Sequence, residues 1–214
     1  MPTRRDSDAI IAIVDDDLSV CEGLDTLIRS AGWRAESFAS AQEFLARAAA
    51  EPPSCLILDL QLPGLSGLDL QKRLAEIGLE IPIVFLTGHG SIPTSVQAMK
   101  AGATEFLTKP VDEEDLLRAI HEAVERDQRF RKQNAEMREL QNRFESLTPR
   151  EQEVLGAISR GLGTREIAEA LSMSAKTVDS HRRNIREKLG LTSATDLVRY
   201  AVRWAGDSTA SVDR

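Results

Sequence analysis

Five short strand-like segments, each followed by a stretch with helical spacing, fill the first ~125 residues and point to an alternating strand–helix fold. The segments are "AIIAIV" (Ala9–Val14), "RAESF" (Arg34–Phe38), "SCLILD" (Ser54–Asp59), "IPIVFLT" (Ile81–Thr87) and "ATEFLTKP" (Ala103–Pro110). Between them lie helical patterns over about Leu18–Ser30, Ser40 onward, Ser66–Ile77 and Ser91–Lys100, and a further helix starts near Asp112. Val20, Leu24, Leu27 and Ile28 recur at helical spacing until Gly32 stops the first helix, and Ser40 with Glu43 makes a capping box for the second. Strands that each feed a helix imply a parallel sheet covered on both faces.

In such a sheet, function lies at the C-terminal ends of the strands. The stretch "LILDLQLPGLSG" delivers one acid, Asp59, to such an end. A buried acid is costly unless it is paired, hydrogen-bonded or metal-bound. The other strand ends supply partners: Asp15 and Asp16 after the first, Thr87 at the fourth, Lys109 at the fifth. With strands ordered 2-1-3-4-5 these side chains converge on one rim. Three carboxylates form a hard oxygen site suited to Mg²⁺. A carboxylate can also act as a nucleophile and become an aspartyl-phosphate, its phosphoryl oxygens stabilised by the metal, Lys109 and Thr87. Each residue alone has a bland reading as an ordinary strand-end side chain; together they place Asp59 to be phosphorylated.

The set "VDDD", "LDLQLPG", "LTGHG" and "FLTKP" resembles the receiver domain of two-component response regulators over roughly residues 8–126. The resemblance implies a flavodoxin-like (βα)5 fold with Asp59 as phosphoacceptor. It further implies Mg²⁺ held by Asp15, Asp16, Asp59 and the Gln61 backbone carbonyl. Thr87 and Phe106 would be a coupled switch pair, Lys109 would contact the phosphoryl group, and the Lys109–Pro110 bond is expected to be cis. Phe106 replaces a Tyr found in some receivers, so the readout would be ring packing. Gln61 and His89 flank the site; His89 is read as a solvent-exposed loop residue.

From Asp112 to about Ser146 the pattern is one long helix. Its first part carries Leu116, Leu117, Ile120 and Val124, suited to packing on the sheet. Farther on, charged pairs at i,i+4 dominate: Glu122/Arg126, Glu125/Arg129, Asp127/Arg131 and Glu139/Arg143. Phe130, Met137 and Phe144 recur every seven residues, with Leu140 and Leu147 beside them. This fits either a thin coiled-coil dimer seam or a connector helix whose apolar residues touch its own domains.

The remainder holds four short helices. Thr148 opens the first with a capping box to Glu151, Thr164 is read as capping the second, and Ser174 caps the third, "AKTVDSHRRNIREKL". Ser193 with Asp196 caps the fourth, expected through about Ala205, before a polar tail. On the third helix Val178, Ile185 and Leu189 share an apolar face opposite Lys176, Asp179, Ser180, Arg182, Arg183 and Arg186. A basic stripe with short polar residues suits phosphate and base-edge contact, although a solvated charged face would look the same. The full string "LTPREQEVLGAISRGLGTREIAEALSMSAKTVDSHRRNIREKLGL" is similar to the LuxR/NarL-type helix-turn-helix across about residues 147–205, and the whole chain to the FixJ branch of the NarL/FixJ response regulators. That resemblance implies base contacts from Asp179, Ser180 and Arg183 and phosphate contacts from Lys176, Thr177 and Arg182, with Lys188 a weaker candidate. Asp179 would accept from a cytosine amino group or orient an arginine. His181 fits a core-edge position equally well and is not assigned a DNA contact.

The expected domains are a receiver (1–126), a helical linker (127–146), an all-α helix-turn-helix domain (147–206) and a disordered tail (207–214). Residues 1–146 carry a net charge of −9 and residues 147–214 a net of +2, an asymmetry that fits modules with different partners. No apolar run approaches a membrane span, no secretory signal is expected from "MPTRRDSD", and Cys21 and Cys55 read as buried free thiols, so the cytoplasm is the default. The resemblance implies a sensor histidine kinase, double-stranded DNA and a second copy of the chain as partners, with RNA polymerase a further candidate. The function implied is transcription control, with activation expected over repression. Competing readings are a signalling module whose C-terminal helices bind protein, and a Mg²⁺-dependent phosphohydrolase. The absence of a substrate-pocket motif leaves self-phosphorylation and self-hydrolysis as the only chemistry expected.

Overall fold

The computed structural model describes residues 9–210, apart from the side chains of Leu140 and of residues 206–210. The N-terminal "MPTRRDSD" therefore lies outside the described residues. The elements run β1 (Ile10–Val14), α1 (Leu18–Ser30), β2 (Arg34–Phe38), α2 (Ala41–Ala48), β3 (Cys55–Leu58), α3 (Gly67–Glu76), β4 (Ile83–Thr87), α4 (Ile92–Lys100), β5 (Glu105–Thr108) and α5 (Glu113–Glu145). Four helices follow: α6 (Pro149–Ser159), α7 (Thr164–Ala170), α8 (Ala175–Leu189) and α9 (Ala194–Ala210). The chain forms two compact units that divide in sequence between Lys132 and Gln133, inside α5.

In the first unit the strands pair in parallel in the order β2-β1-β3-β4-β5, as expected. Alternate residues feed opposite faces. Ile11, Ile13, Ile57, Val84 and Leu86 pack with Leu24 and Ile28 of α1 and Leu116, Ile120 and Val124 of α5. Ala12, Val14, Leu56, Leu58, Ile83 and Phe85 pack with Phe44, Leu70, Leu74 and Ala98 of α2, α3 and α4. Both cysteines are free and buried.

Short polar side chains open the helices by accepting from orphan N–H groups. Asp17 does so for α1, Ser40 for α2, Ser66 for α3 and Ser91 for α4. Of the predicted charged pairs on α5, Glu125–Arg129, Asp127–Arg131 and Glu139–Arg143 form. Asp127 is more than a surface partner: it is buried, and Arg131 also donates to the carbonyls of Pro52 and Pro53. That clasp ties α5 to the turn leading into β3.

In the second unit Val154, Leu155, Ile158, Ile167, Val178, Ile185, Leu189, Leu197 and Tyr200 make the core. The Thr148–Glu151 capping box is present, and Ser174 and Ser193 cap as expected. Two expectations are corrected and one open alternative is narrowed. Thr164 does not cap α7; it is the first helical residue, and the Gly163 N–H donates instead to Glu166 Oε2 at 2.7 Å. Of the two readings of the heptad-spaced residues, Phe144 and Leu147 follow the connector one: they belong to this unit's core, Phe144 stacking on Trp204 with centroids 4.0 Å apart. Leu140 lies outside the described side chains, and Met137 is exposed. Finally, α9 runs on to Ala210, leaving only residues 211–214 of the expected tail, outside the described residues.

Candidate functional sites

The parallel register fixes the first site. Val14 pairs with Leu58, Leu58 with Phe85, and Thr87 with Thr108, so the strands end nearly level. The residues that follow emerge on one rim: Asp59 donates its N–H to the Val14 carbonyl, and Lys109 donates its own to the Thr87 carbonyl. Asp15 is 3% exposed, Asp59 9% and Thr87 0%, while Asp16 is exposed.

Lys109 compensates the buried charge. Its Nζ donates to Asp15 Oδ2 at 2.5 Å and to Asp59 Oδ2 at 3.4 Å. Burial pulls the Lys109 ammonium toward its neutral form, but the hydrogen bond and charge of Asp15, then those of Asp59, outweigh it and raise its pKa. Asp59 Oδ1 faces the Gln61 N–H at 3.4 Å, and Asp15 Oδ1 accepts from the Asp17 N–H at 3.0 Å. Carboxylate oxygens of Asp15, Asp16 and Asp59 lie within 4.8 Å of one another. Oxygen-only donors of this charge fit a small hard divalent cation.

Thr87 and Phe106 flank the acids. The Thr87 hydroxyl accepts from the N–H of His89, which is exposed as expected. Phe106 is half-buried, its ring tilted against Phe85 with centroids 6.0 Å apart, and Gly90 lies over it: a Cβ at position 90 would stand 2.9 Å from Phe106 Cε1. The Lys109–Pro110 bond is cis.

The second site is the outer face of α8. Lys176, Thr177, Asp179 and Arg183 are exposed, and Ser180 and Arg182 half-buried. The Ser180 hydroxyl donates to the Lys176 carbonyl, and the Thr177 hydroxyl shares a 2.7 Å hydrogen bond with that of Ser174. Lys188 is exposed, and its Nζ donates to the buried Glu151 Oε2 at 2.7 Å, so it also joins α8 to the start of α6. Arg182 and Asp179 both engage Thr164 of α7, a link between residues far apart in sequence that no local pattern announced.

Comparison with known proteins assigns each part of the chain to a family. Residues 11–121 match the response regulator receiver domain, and residues 145–201 the bacterial regulatory proteins of the luxR family. The chain is 45% identical to the response regulator protein TmoT of Ectopseudomonas mendocina, over 93% of this chain and 90% of that one. It is 35% identical to the transcriptional regulatory protein FixJ of Bradyrhizobium diazoefficiens, over 90% and 94%. Among solved structures it is similar to the response regulator StyR, with a TM-score of 0.85 and 44% identity over 92% of this chain and 99% of that one. The chain belongs to the response regulators of the NarL/FixJ family, pairing a receiver domain with a LuxR-type DNA-binding domain. Among its relatives, FixJ and the TdiR protein of Thauera aromatica are named transcriptional regulatory proteins. Among the described residues no helix is long and apolar enough to cross a membrane.

Proposed function

We propose that a sensor histidine kinase phosphorylates this cytoplasmic protein on Asp59, and that the phosphorylated form dimerises, binds DNA and activates transcription. The convergence of Asp15, Asp59, Thr87 and Lys109 on one rim carries the reading. A carboxylate oxygen of Asp59 attacks the phosphorus of the kinase's phosphohistidine. The P–N bond breaks, and its electron pair stays on the imidazole, which takes up a proton. Asp15, Asp16 and Asp59, with the Gln61 carbonyl, would hold Mg²⁺, which when bound supplies charge to the transferring oxygens. Lys109 is poised to move from Asp59 to the new phosphoryl group, with Thr87 donating its hydroxyl to it.

That hydroxyl now accepts from His89, so turning it toward phosphate rearranges the β4–α4 loop and the packing of Phe106 under Gly90. The helix beyond carries Ile92, Val96 and Met99 exposed on one side. This apolar stripe suits a second copy of the chain as its partner, with RNA polymerase a later contact of the assembled dimer.

In the second unit α8 would enter the major groove. Asp179, Ser180 and Arg183 are assigned to base edges, and Lys176, Thr177 and Arg182 to phosphates. We keep residues 127–146 as the linker between the receiver and the DNA-binding domain.

The test is binding of the full chain to a duplex selected from a random library, with and without Mg²⁺ and acetyl phosphate, beside Asp59→Asn. Tighter binding on phosphorylation in the wild type alone is expected. Equal binding by both proteins in both conditions would detach DNA binding from Asp59. Binding to no duplex would favour a protein partner for the C-terminal helices.

A further inference from the structure

Thr164, Asp179 and Arg182 form a chain of three polar groups on the outer side of the helix-turn-helix. Arg182 Nη1 donates to Thr164 Oγ1 at 3.0 Å, and the Thr164 hydroxyl proton points to Asp179 Oδ1 at 3.4 Å. A hydroxyl has one proton and two acceptor positions, so it can serve both neighbours at once. Asp179 and Arg182 are three apart on α8, where opposite charges ordinarily pair directly. Here the hydroxyl stands between them.

The helix start leaves Thr164 free for this. Gly163 is the N-cap of α7, and the Glu166 carboxylate takes its N–H. Thr164 is half-buried, and its branched Cβ restricts the rotamers that carry the hydroxyl. Asp179 is exposed. It keeps acceptor capacity, because a carboxylate has about four lone-pair sites and the threonine uses one.

We propose that Thr164 is a positioning residue that sets sequence specificity. It holds the Asp179 carboxylate toward an amino group in the major groove, that of a cytosine, and steadies Arg182 for the neighbouring phosphate. Without the hydroxyl, Asp179 and Arg182 collapse into a direct ion pair, and the carboxylate is withdrawn from the bases. The inference rests on the DNA-binding reading of α8.

The experiment uses the full chain, incubated with Mg²⁺ and acetyl phosphate, with Thr164→Val, Thr164→Ser and Asp179→Asn variants. The probes are a duplex selected by the wild type from a random library, the same duplex with each C·G pair replaced in turn, and an unrelated duplex. In the wild type, replacing one C·G pair should weaken binding about 10-fold or more, the scale of one good base contact. Thr164→Val and Asp179→Asn should lose most of that ratio at the same pair, and Thr164→Ser should keep it. Thermal unfolding of each variant separates this from failure to fold, and the serine variant keeps the test open if the valine variant is unstable. An unchanged ratio in Thr164→Val would overturn the proposal. Equal weakening on every duplex, the unrelated one included, would reduce Thr164 to support for a phosphate contact and overturn it too. If the wild type binds no duplex even at low salt, the DNA reading itself fails, an outcome distinct from the other two.

Discussion

Gly67 lies against the backbone of Asp59: a Cβ at position 67 would stand 2.2 Å from the Asp59 carbonyl oxygen. The Gly67 N–H also donates to the Leu60 carbonyl at 3.0 Å. The first turn of α3 is thus laid directly on the strand end that carries the proposed phosphoacceptor, and only glycine permits that approach.

Gly67→Ala should therefore force α3 and the Asp59 backbone apart. Overpacking of this kind costs about 1–3 kcal/mol or more. Urea unfolding should show the loss, and labelling of Asp59 by acetyl phosphate should slow because the carboxylate no longer faces Lys109. Normal stability and normal labelling together would contradict the account.

Gln71, buried on α3, donates its amide to the Ala98 carbonyl of α4 at 3.1 Å, while its own Oε1 is buried without a hydrogen-bond partner. Ala98 is the buried residue of α4, so this bond and one small side chain hold the helix. Gln71→Leu removes the bond and also the orphaned oxygen. Global stability should change by no more than about 1 kcal/mol. Amide exchange should nevertheless quicken in α4 and stay unchanged in β4, measured by hydrogen–deuterium exchange.

Glu151 gives the second unit a pH dependence. Burial alone would raise its carboxyl, but the Lys188 hydrogen bond and then those of Thr148 pull it below its ordinary value of 4.5. A carboxyl with a lowered folded pKa stabilises above the unfolded value and loses that contribution as pH falls through the folded one. The second unit should therefore weaken as pH drops below about 4.5. Glu151→Gln should cost about 1–3 kcal/mol at neutral pH and flatten the acid slope, read by urea titrations at a series of pH values.

The Phe144–Trp204 stack closes the second unit's core onto the end of α5. Phe144→Ala should destabilise that unit by roughly 1–3 kcal/mol, less than for a fully buried ring because Phe144 is half-buried. With Trp33 replaced by Phe, the remaining emission of Trp204 should shift to the red. An unshifted spectrum would mean that the stack does not persist in solution.

Much of the receiver site was legible because parallel strands deliver their C-terminal residues to one rim. Asp15, Asp59, Thr87 and Lys109 needed only the order of the elements to be brought together. Caps were legible for a similar reason: Ser40, Thr148, Ser174 and Ser193 act within three residues of themselves. What stayed hidden depends on packing between elements. Lys188 reads as one more cation on a basic helix until α6 brings Glu151 against it. Thr164 reads as a cap until α8 places Asp179 and Arg182 beside its hydroxyl. Phe144 and Leu147 keep a seven-residue spacing, and the same spacing serves a coiled coil or one face of a helix docked on its own domain. Asp127 and Arg131 were visible as an i,i+4 pair, but neither the burial of Asp127 nor the hydrogen bonds of Arg131 to the Pro52 and Pro53 carbonyls was.

The most direct measurement is the intact mass of the wild type and of Asp59→Asn after incubation with acetyl phosphate and Mg²⁺, followed by peptide mapping. One added phosphoryl group is expected in the wild type, mapped to Asp59 and removed by chelating the metal beforehand, and none in the variant. Equal phosphorylation of both proteins, or a label on any other residue, would contradict it.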